Sequence, residues 1–98
     1  MVHTVVATLK FKNGDVKNEF MEILHSENGV AKTRKFQGCV SIECFEAEEN
    51  TVVILQRWDS KEDHGKYLEM RKSEGLLDKV KENLEGPLDI VHLTNISV

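Results

Sequence analysis

The stretch Val52–Arg71, VVILQRWDSKEDHGKYLEMR, changes its hydrophobic period part-way along. Its first residues, Val52 to Trp58, are rich in β-branched, aliphatic and aromatic side chains and read as a buried strand. After Ser60 the period is helical. His64, Tyr67, Leu68 and Arg71 share one face, because residues three, four and seven apart stack along a helix. Ser60 is a natural N-cap, with Asp63 three positions later in a capping-box-like start. A buried strand feeding a capped helix fixes one strand-to-helix unit, and the rest of the chain is read outward from it.

Upstream, Phe36–Trp58 reads as a hairpin with strands at about Cys39–Glu46 and Thr51–Trp58, joined by the polar turn AEEN. At the start of the chain, His3, Val5, Ala7, Leu9 and Phe11 alternate on one strand face, with Val2, Thr4 and Val6 on the other. Both faces are largely apolar, as in a strand covered on both sides. KNGD ends that strand in a turn, with Asp15 as the expected N-cap of a helix striped by Val16, Phe20, Ile23, Leu24 and Val30. Glu27–Gly29 interrupts or bends this helix, and a shorter piece runs on to about Arg34. Downstream, Gly75 breaks the helix that begins after Ser60. Leu76, Leu77, Val80 and Leu84 line a further helical piece, closed by Gly86–Pro87. Leu88–Val98 reads as a last strand, with Ile90, His92, Thr94 and Ile96 on one face.

The order is strand, helix, strand, strand, broken helix, strand, over a single domain spanning residues 1–98. That is the ferredoxin-like split βαβ order, an α+β fold with a four-stranded antiparallel sheet and helices on one face. Strands apolar on both faces then need a cover for the open side. A second copy of the chain, packed sheet to sheet, is the simplest one, so a homodimer is expected.

Composition narrows the partners. The 98 residues are 40% hydrophobic and 31% charged, with a net charge of −4. A phosphate backbone or anionic membrane calls for a basic stripe, and the densest basic run, AKTRKF, is read as solvated surface. No apolar run approaches the roughly 20 residues of a membrane span, and the N-terminus alternates like a strand. The expected location is the cytoplasm. Cys39 and Cys44, five apart on one strand, are expected on opposite faces as reduced core thiols.

Trp58 ends its strand on the parity of Ile54 and Gln56; it is either core or the rim of a pocket. His64, Tyr67 and Arg71 stand on a helix face that should turn inward. Either they sit at its margin with polar tips in water, or they line a cavity between helix and sheet that suits a small aromatic molecule. His25 is expected to be exposed. No histidine pair has metal-ligand spacing, and there is no phosphate loop or nucleophile elbow.

Val5–Leu24 (VVATLKFKNGDVKNEFMEIL) followed by Thr33–Gly75 resembles the antibiotic biosynthesis monooxygenase-like domain. The shared marks are Gly14 before the first helix, Gly38 before the second strand, and RWDSKED at Arg57–Asp63. The resemblance implies a dimeric ferredoxin-like α+β barrel with a pocket between sheet and helices. It implies oxidation of a small aromatic, polyphenol or quinol by molecular oxygen, with no metal and no other cofactor. Many members carry a histidine where Tyr67 stands. Here His64, one turn earlier on the same face, is the expected base, with Tyr67 beside it. Arg71 is the expected anion stabiliser, and Trp58, Ala7 and Leu68 are the other expected substrate contacts. A haem-degrading branch of the superfamily uses an asparagine, a tryptophan and a histidine at positions that match Ala7, Tyr67 and Leu77. All three differ, and leucine cannot ligate iron. The rival readings are a non-catalytic dimeric module that holds a small ligand, and isomerase or decarboxylase chemistry with His64 as base.

Overall fold

The structure, a computed structural model, describes residues 2–98. Strand β1 (His3–Lys10) leads to helices α1 (Gly14–His25) and α2 (Val30–Lys35). Strands β2 (Cys39–Ala47) and β3 (Thr51–Trp58) follow, then helices α3 (Lys61–Ser73) and α4 (Leu76–Glu82), and finally β4 (Asp89–Leu93). The strands form one antiparallel sheet in the order β2-β3-β1-β4. This is the split βαβ arrangement expected from the order of the elements.

The element ends have local causes. Asn13, two residues earlier than expected, caps α1: its side chain accepts from the Val16 N–H at 3.0 Å. Asp15 falls in the first turn, where a negative charge suits the helix N-terminus. Ser60 Oγ accepts from the Asp63 N–H at 3.1 Å and caps α3 as predicted. Gly75 stops α3 in the left-handed region at φ +81°, a conformation that favours glycine. The last strand ends at Leu93, short of the expected Val98. Its only neighbour is β1, and with Thr4 opposite Leu93 that partner has almost run out.

Register then sorts the side chains. Val5, Ala7 and Leu9 lie opposite Gln56, Ile54 and Val52, and Ile90 and His92 join them from β4. This face carries the helices and the main core of Leu9, Phe11, Phe20, Ile42, Val52, Ile54, Val80 and Leu84. A smaller cluster of Val5, Trp58 and Tyr67 lies beside it. Between Cys39 and Ser41 a β-bulge adds a residue to β2. Cys39 therefore pairs with Trp58 and Cys44 with Ile54, which puts both thiols on the helix side and not on opposite faces. Neither is a core residue: Cys39 is half-buried, Cys44 is exposed, and both are free.

On the opposite face Val6, Val53 and Leu55 are half-buried, and Phe45, Val91 and Leu93 are 49%, 43% and 42% exposed. Among the described residues no helix is long and apolar enough to cross a membrane.

Candidate functional site

Helix α3 buries a polar stripe. His64, Tyr67 and Arg71 are its buried residues, and with Ala7 and Leu68 they line a cavity of about 90 Å3 between the sheet and helices α3 and α4. Four of these residues share a helix face and Ala7 comes from β1 below, so the juxtaposition needs only the packing of one helix on the sheet. The rest of the wall is largely aliphatic, and the cover comes from Leu76, Leu77 and Val80 of α4. Wider depressions lie elsewhere on the surface. One of about 560 Å3 runs between α1, α2 and β2, and one of about 710 Å3 runs beside the C-terminal residues. Both are broader, but only the sheet–helix cavity collects the buried polar side chains of α3.

Arg71 is committed to the fold. Nε donates to the Tyr67 hydroxyl at 3.0 Å. One terminal nitrogen donates to the Asn28 carbonyl at 2.7 Å and to Glu74 at 3.2 Å. The other donates to the Gly29 carbonyl at 3.0 Å and to Thr33 Oγ1 at 3.1 Å. A guanidinium has five N–H groups, and five acceptors meet them. Expected as an anion stabiliser, Arg71 has no donor free for a ligand in this arrangement. Glu74 also pairs with Lys32, which holds its carboxyl below the ordinary carboxylate range.

The Tyr67 hydroxyl is occupied as well. Thr33 Oγ1 lies 2.7 Å from it and 3.3 Å from the Gly29 carbonyl. Thr33 has one proton, and the carbonyl can only accept. The tyrosine therefore donates to Thr33 while it accepts from Arg71. What Tyr67 presents to the cavity is its ring. Trp58 is fully buried behind the cavity wall. It packs among Phe36, His64 and Tyr67 at centroid distances of 6.2, 5.8 and 5.0 Å.

His64 is the exception on this face. It is 3% exposed, yet its imidazole makes no hydrogen bond among the described residues. Burial, with the nearby His92 and His3 adding to it, lowers its pKa from 6.5 to about 4. The ring is neutral at pH 7, with a free acceptor nitrogen. Toward the outside it meets His92 edge-on at 5.6 Å, and His92 Nδ1 lies 2.8 Å from His3 Nε2. His25 stays exposed on α1, bonded to the Met21 carbonyl. Among the described residues no group of three or more histidines, cysteines or carboxylates is arranged to hold a metal.

Two residues of the site escaped the sequence reading. Thr33 offers no signal there, being one hydroxyl on a six-residue helix. Gln56 does: it interrupts the inward run Val52, Ile54, Trp58, and a polar side chain on an apolar strand face needs a partner. It lines the cavity, and its Oε1 accepts from the Trp58 indole N–H at 2.9 Å.

The family model of the antibiotic biosynthesis monooxygenases matches residues 2–85. The chain belongs to that family. No functionally curated protein matches the sequence. Among solved structures, Rv0793 from Mycobacterium tuberculosis is 22% identical, with 100% of this chain and 98% of that one covered at a TM-score of 0.76. The monooxygenase from the gene ActVA-Orf6 of Streptomyces coelicolor, solved in complex with nanaomycin D, is 19% identical. Coverage is 98% of this chain and 88% of that one, at a TM-score of 0.75. A dimeric ferredoxin-like protein from an uncultured marine organism is 16% identical, with 99% and 91% covered at a TM-score of 0.73. At these identities the likeness establishes the fold alone.

Two expected outcomes follow from the side chains of α3. Arg71→Met removes the cation that satisfies the Asn28 and Gly29 carbonyls. Urea unfolding should register a loss of about 3 kcal/mol or more, the scale of a broken buried charged network. Unchanged stability would return Arg71 to the pool of ligand contacts. His64 acts on pH dependence. The unfolded chain regains a pKa of 6.5, so between about pH 6.5 and 4 it binds a proton that the folded chain refuses, and stability falls as the pH is lowered. The loss approaches about 3 kcal/mol if the whole difference is expressed. Comparing the wild type with His64→Phe at pH 6.5 and 4.5 isolates this contribution; identical slopes would contradict it.

Proposed function

We propose that the protein is an oxygenase acting on a small electron-rich phenol, naphthol or quinol held in the cavity beneath α3 and α4, using molecular oxygen without a bound cofactor. The observation that carries this reading is the neutral, unpartnered imidazole of His64 inside apolar walls. Ground-state oxygen reacts poorly with closed-shell molecules, whereas a phenolate can give it an electron. The superoxide so formed adds to the ring carbon, and the hydroperoxide loses water to leave a carbonyl. One oxygen atom stays, the other leaves as water, and the substrate supplies all four electrons. The protein's task is to bind the ring, favour its anion and exclude water.

His64 is the proposed base. Its pKa of about 4 lies below the near-neutral value that best suits a general base. A phenolate formed beside the ring would raise it, because an opposite charge favours the imidazolium. The Tyr67 ring, Ala7 and Leu68 are proposed to hold the substrate ring. Arg71 and Trp58 act from behind, Arg71 by fixing Tyr67 and Trp58 by packing on both His64 and Tyr67. The cavity's 90 Å3 is below the roughly 150 Å3 of an apolar cavity that takes up benzene. Substrate entry on this reading moves α4, which follows α3 across the short link Glu74–Gly75. The nanaomycin D complex of the Streptomyces coelicolor relative supports a small-molecule ligand for this fold.

The same reading includes a homodimer, with the face bearing Val6, Val53, Leu55 and Phe45 covered by its counterpart. The dimeric ferredoxin-like relative supports it. Sedimentation at micromolar concentration should give a dimer that Leu55→Asp dissociates; a wild-type monomer would sink this part of the reading. For the chemistry, the purified protein should speed oxygen uptake with a panel of hydroquinones and naphthols, and His64→Ala should lower the rate by about 10²-fold or more, the usual scale for a general base. Turnover of these substrates without oxygen would favour isomerase or decarboxylase chemistry. Binding without turnover would favour a ligand-holding module.

A further inference from the structure

The cavity holds a second unpartnered polar group, and it is a donor. Gln56 sits on the helix side of β3, opposite Val5 of β1 and Ile42 of β2. It is 8% exposed. The Trp58 indole N–H can only donate, so the amide atom 2.9 Å from it must be the oxygen. That bond fixes the amide's orientation. The NH2 end is left over, and it donates to no group among the described residues. Yet among those residues no side-chain nitrogen or oxygen is both sealed from solvent and without a partner. Gln56 lines the cavity while Trp58 does not. The amide NH2 is not sealed from solvent, and the cavity that Gln56 lines is the space to which it can offer its N–H groups.

We propose that Gln56 is the residue that holds the substrate's oxyanion, donating from its side-chain NH2 to the phenolate oxygen whose proton passes to His64. This rests on the reading that the cavity takes a phenol. Three observations carry it. Arg71, the cation of the site, commits all five donors to the protein. The Tyr67 hydroxyl proton is committed to Thr33. What remains for a ligand is the imidazole of His64, with one acceptor nitrogen and one N–H, and the NH2 of Gln56, which can only donate, both packed against the same Trp58 ring. A donor already oriented by the Trp58 indole needs no reorganisation when charge develops, which is the condition under which a neutral amide stabilises an anion effectively. Such a site selects a ring bearing an ionisable hydroxyl, and it discriminates against the same ring with the oxygen methylated, because His64 would then lose its proton donor and Gln56 would keep only a weak, uncharged acceptor.

The test uses 4-nitrophenol, a single ring whose anion is coloured, titrated by absorbance with protein in excess and no turnover required. Bound to the wild type, it should ionise at lower pH than it does in water. The anion should be held about tenfold more tightly than the neutral form, which lowers the pKa of the bound phenol by about one. Gln56→Glu keeps the acceptor for the Trp58 N–H but replaces the donor with a carboxylate; the bound phenol should then ionise at higher pH than it does free in water. Gln56→Leu removes the donor without adding charge and should abolish the downward displacement. It orphans the indole N–H, so its thermal unfolding is read alongside, and Gln56→Glu stands as the variant that keeps that bond. An equal downward displacement in wild type and Gln56→Glu would overturn the role of Gln56 and leave the phenol cavity intact. Absence of any 4-nitrophenol binding to the wild type would overturn the phenol reading and this inference together.

Discussion

The guanidinium of Arg71 is the fixed point of the helical layer. From α3 it reaches the carbonyls of Asn28 and Gly29 at the break between α1 and α2, the hydroxyl of Thr33 on α2, the hydroxyl of Tyr67 on its own helix and the carboxylate of Glu74. A helix break leaves carbonyls without intrahelical partners, and these must be satisfied where they are buried. One buried cation does so for two of them. The chain closes tightly there: a side chain at Gly29 would bring its Cβ within 2.1 Å of the Ile23 carbonyl oxygen. The break, the glycine and the arginine are one device, and it sets how α3 lies across the sheet.

The division of labour in the cavity follows from that clamp. Polar side chains on the inner face of a helix cost desolvation unless they find partners. Tyr67, Thr33 and Arg71 find one another. Gln56 commits its oxygen to Trp58. Only the imidazole of His64 and the NH2 of Gln56 keep unused capacity, and both are held by packing that does not depend on a ligand. The groups of higher charge and greater reach serve the fold, while two neutral groups are left for chemistry. For the proposed oxygenase chemistry, which must favour an anion without trapping it, neutral groups in a low-dielectric cavity are a workable choice.

The architecture was legible because hydrophobic period and capping chemistry agree along most of the chain. The hairpin, the Ser60 cap and the Gly75 stop all lie where the residues place them. The side-chain parity of β2 was not legible, because a bulge between Cys39 and Ser41 shifts it by one and no residue type announces a bulge there. The end of β4 was set by the length of β1, which is a tertiary fact. At the site, helical spacing brought out His64, Tyr67, Leu68 and Arg71, all of which line one cavity. Spacing places a side chain on a face but does not say what its polar end is bonded to. Arg71 and Tyr67 meet partners more than thirty residues away in sequence, Asn28, Gly29 and Thr33, and those bonds decide what each has left to offer.

The proposed chemistry depends on a neutral, unpartnered His64 facing a cavity that accepts an aromatic ring. The most direct measurement is an NMR titration of the His64 ring, resolved from the other three histidines by a His64→Phe reference, with and without 1-naphthol. The ring should stay neutral down to about pH 4 in the free protein, and its resonances and titration should both move when naphthol is added. A ring that titrates at the ordinary 6.5 and takes no notice of the naphthol would mean that His64 is solvated and the cavity is not a site.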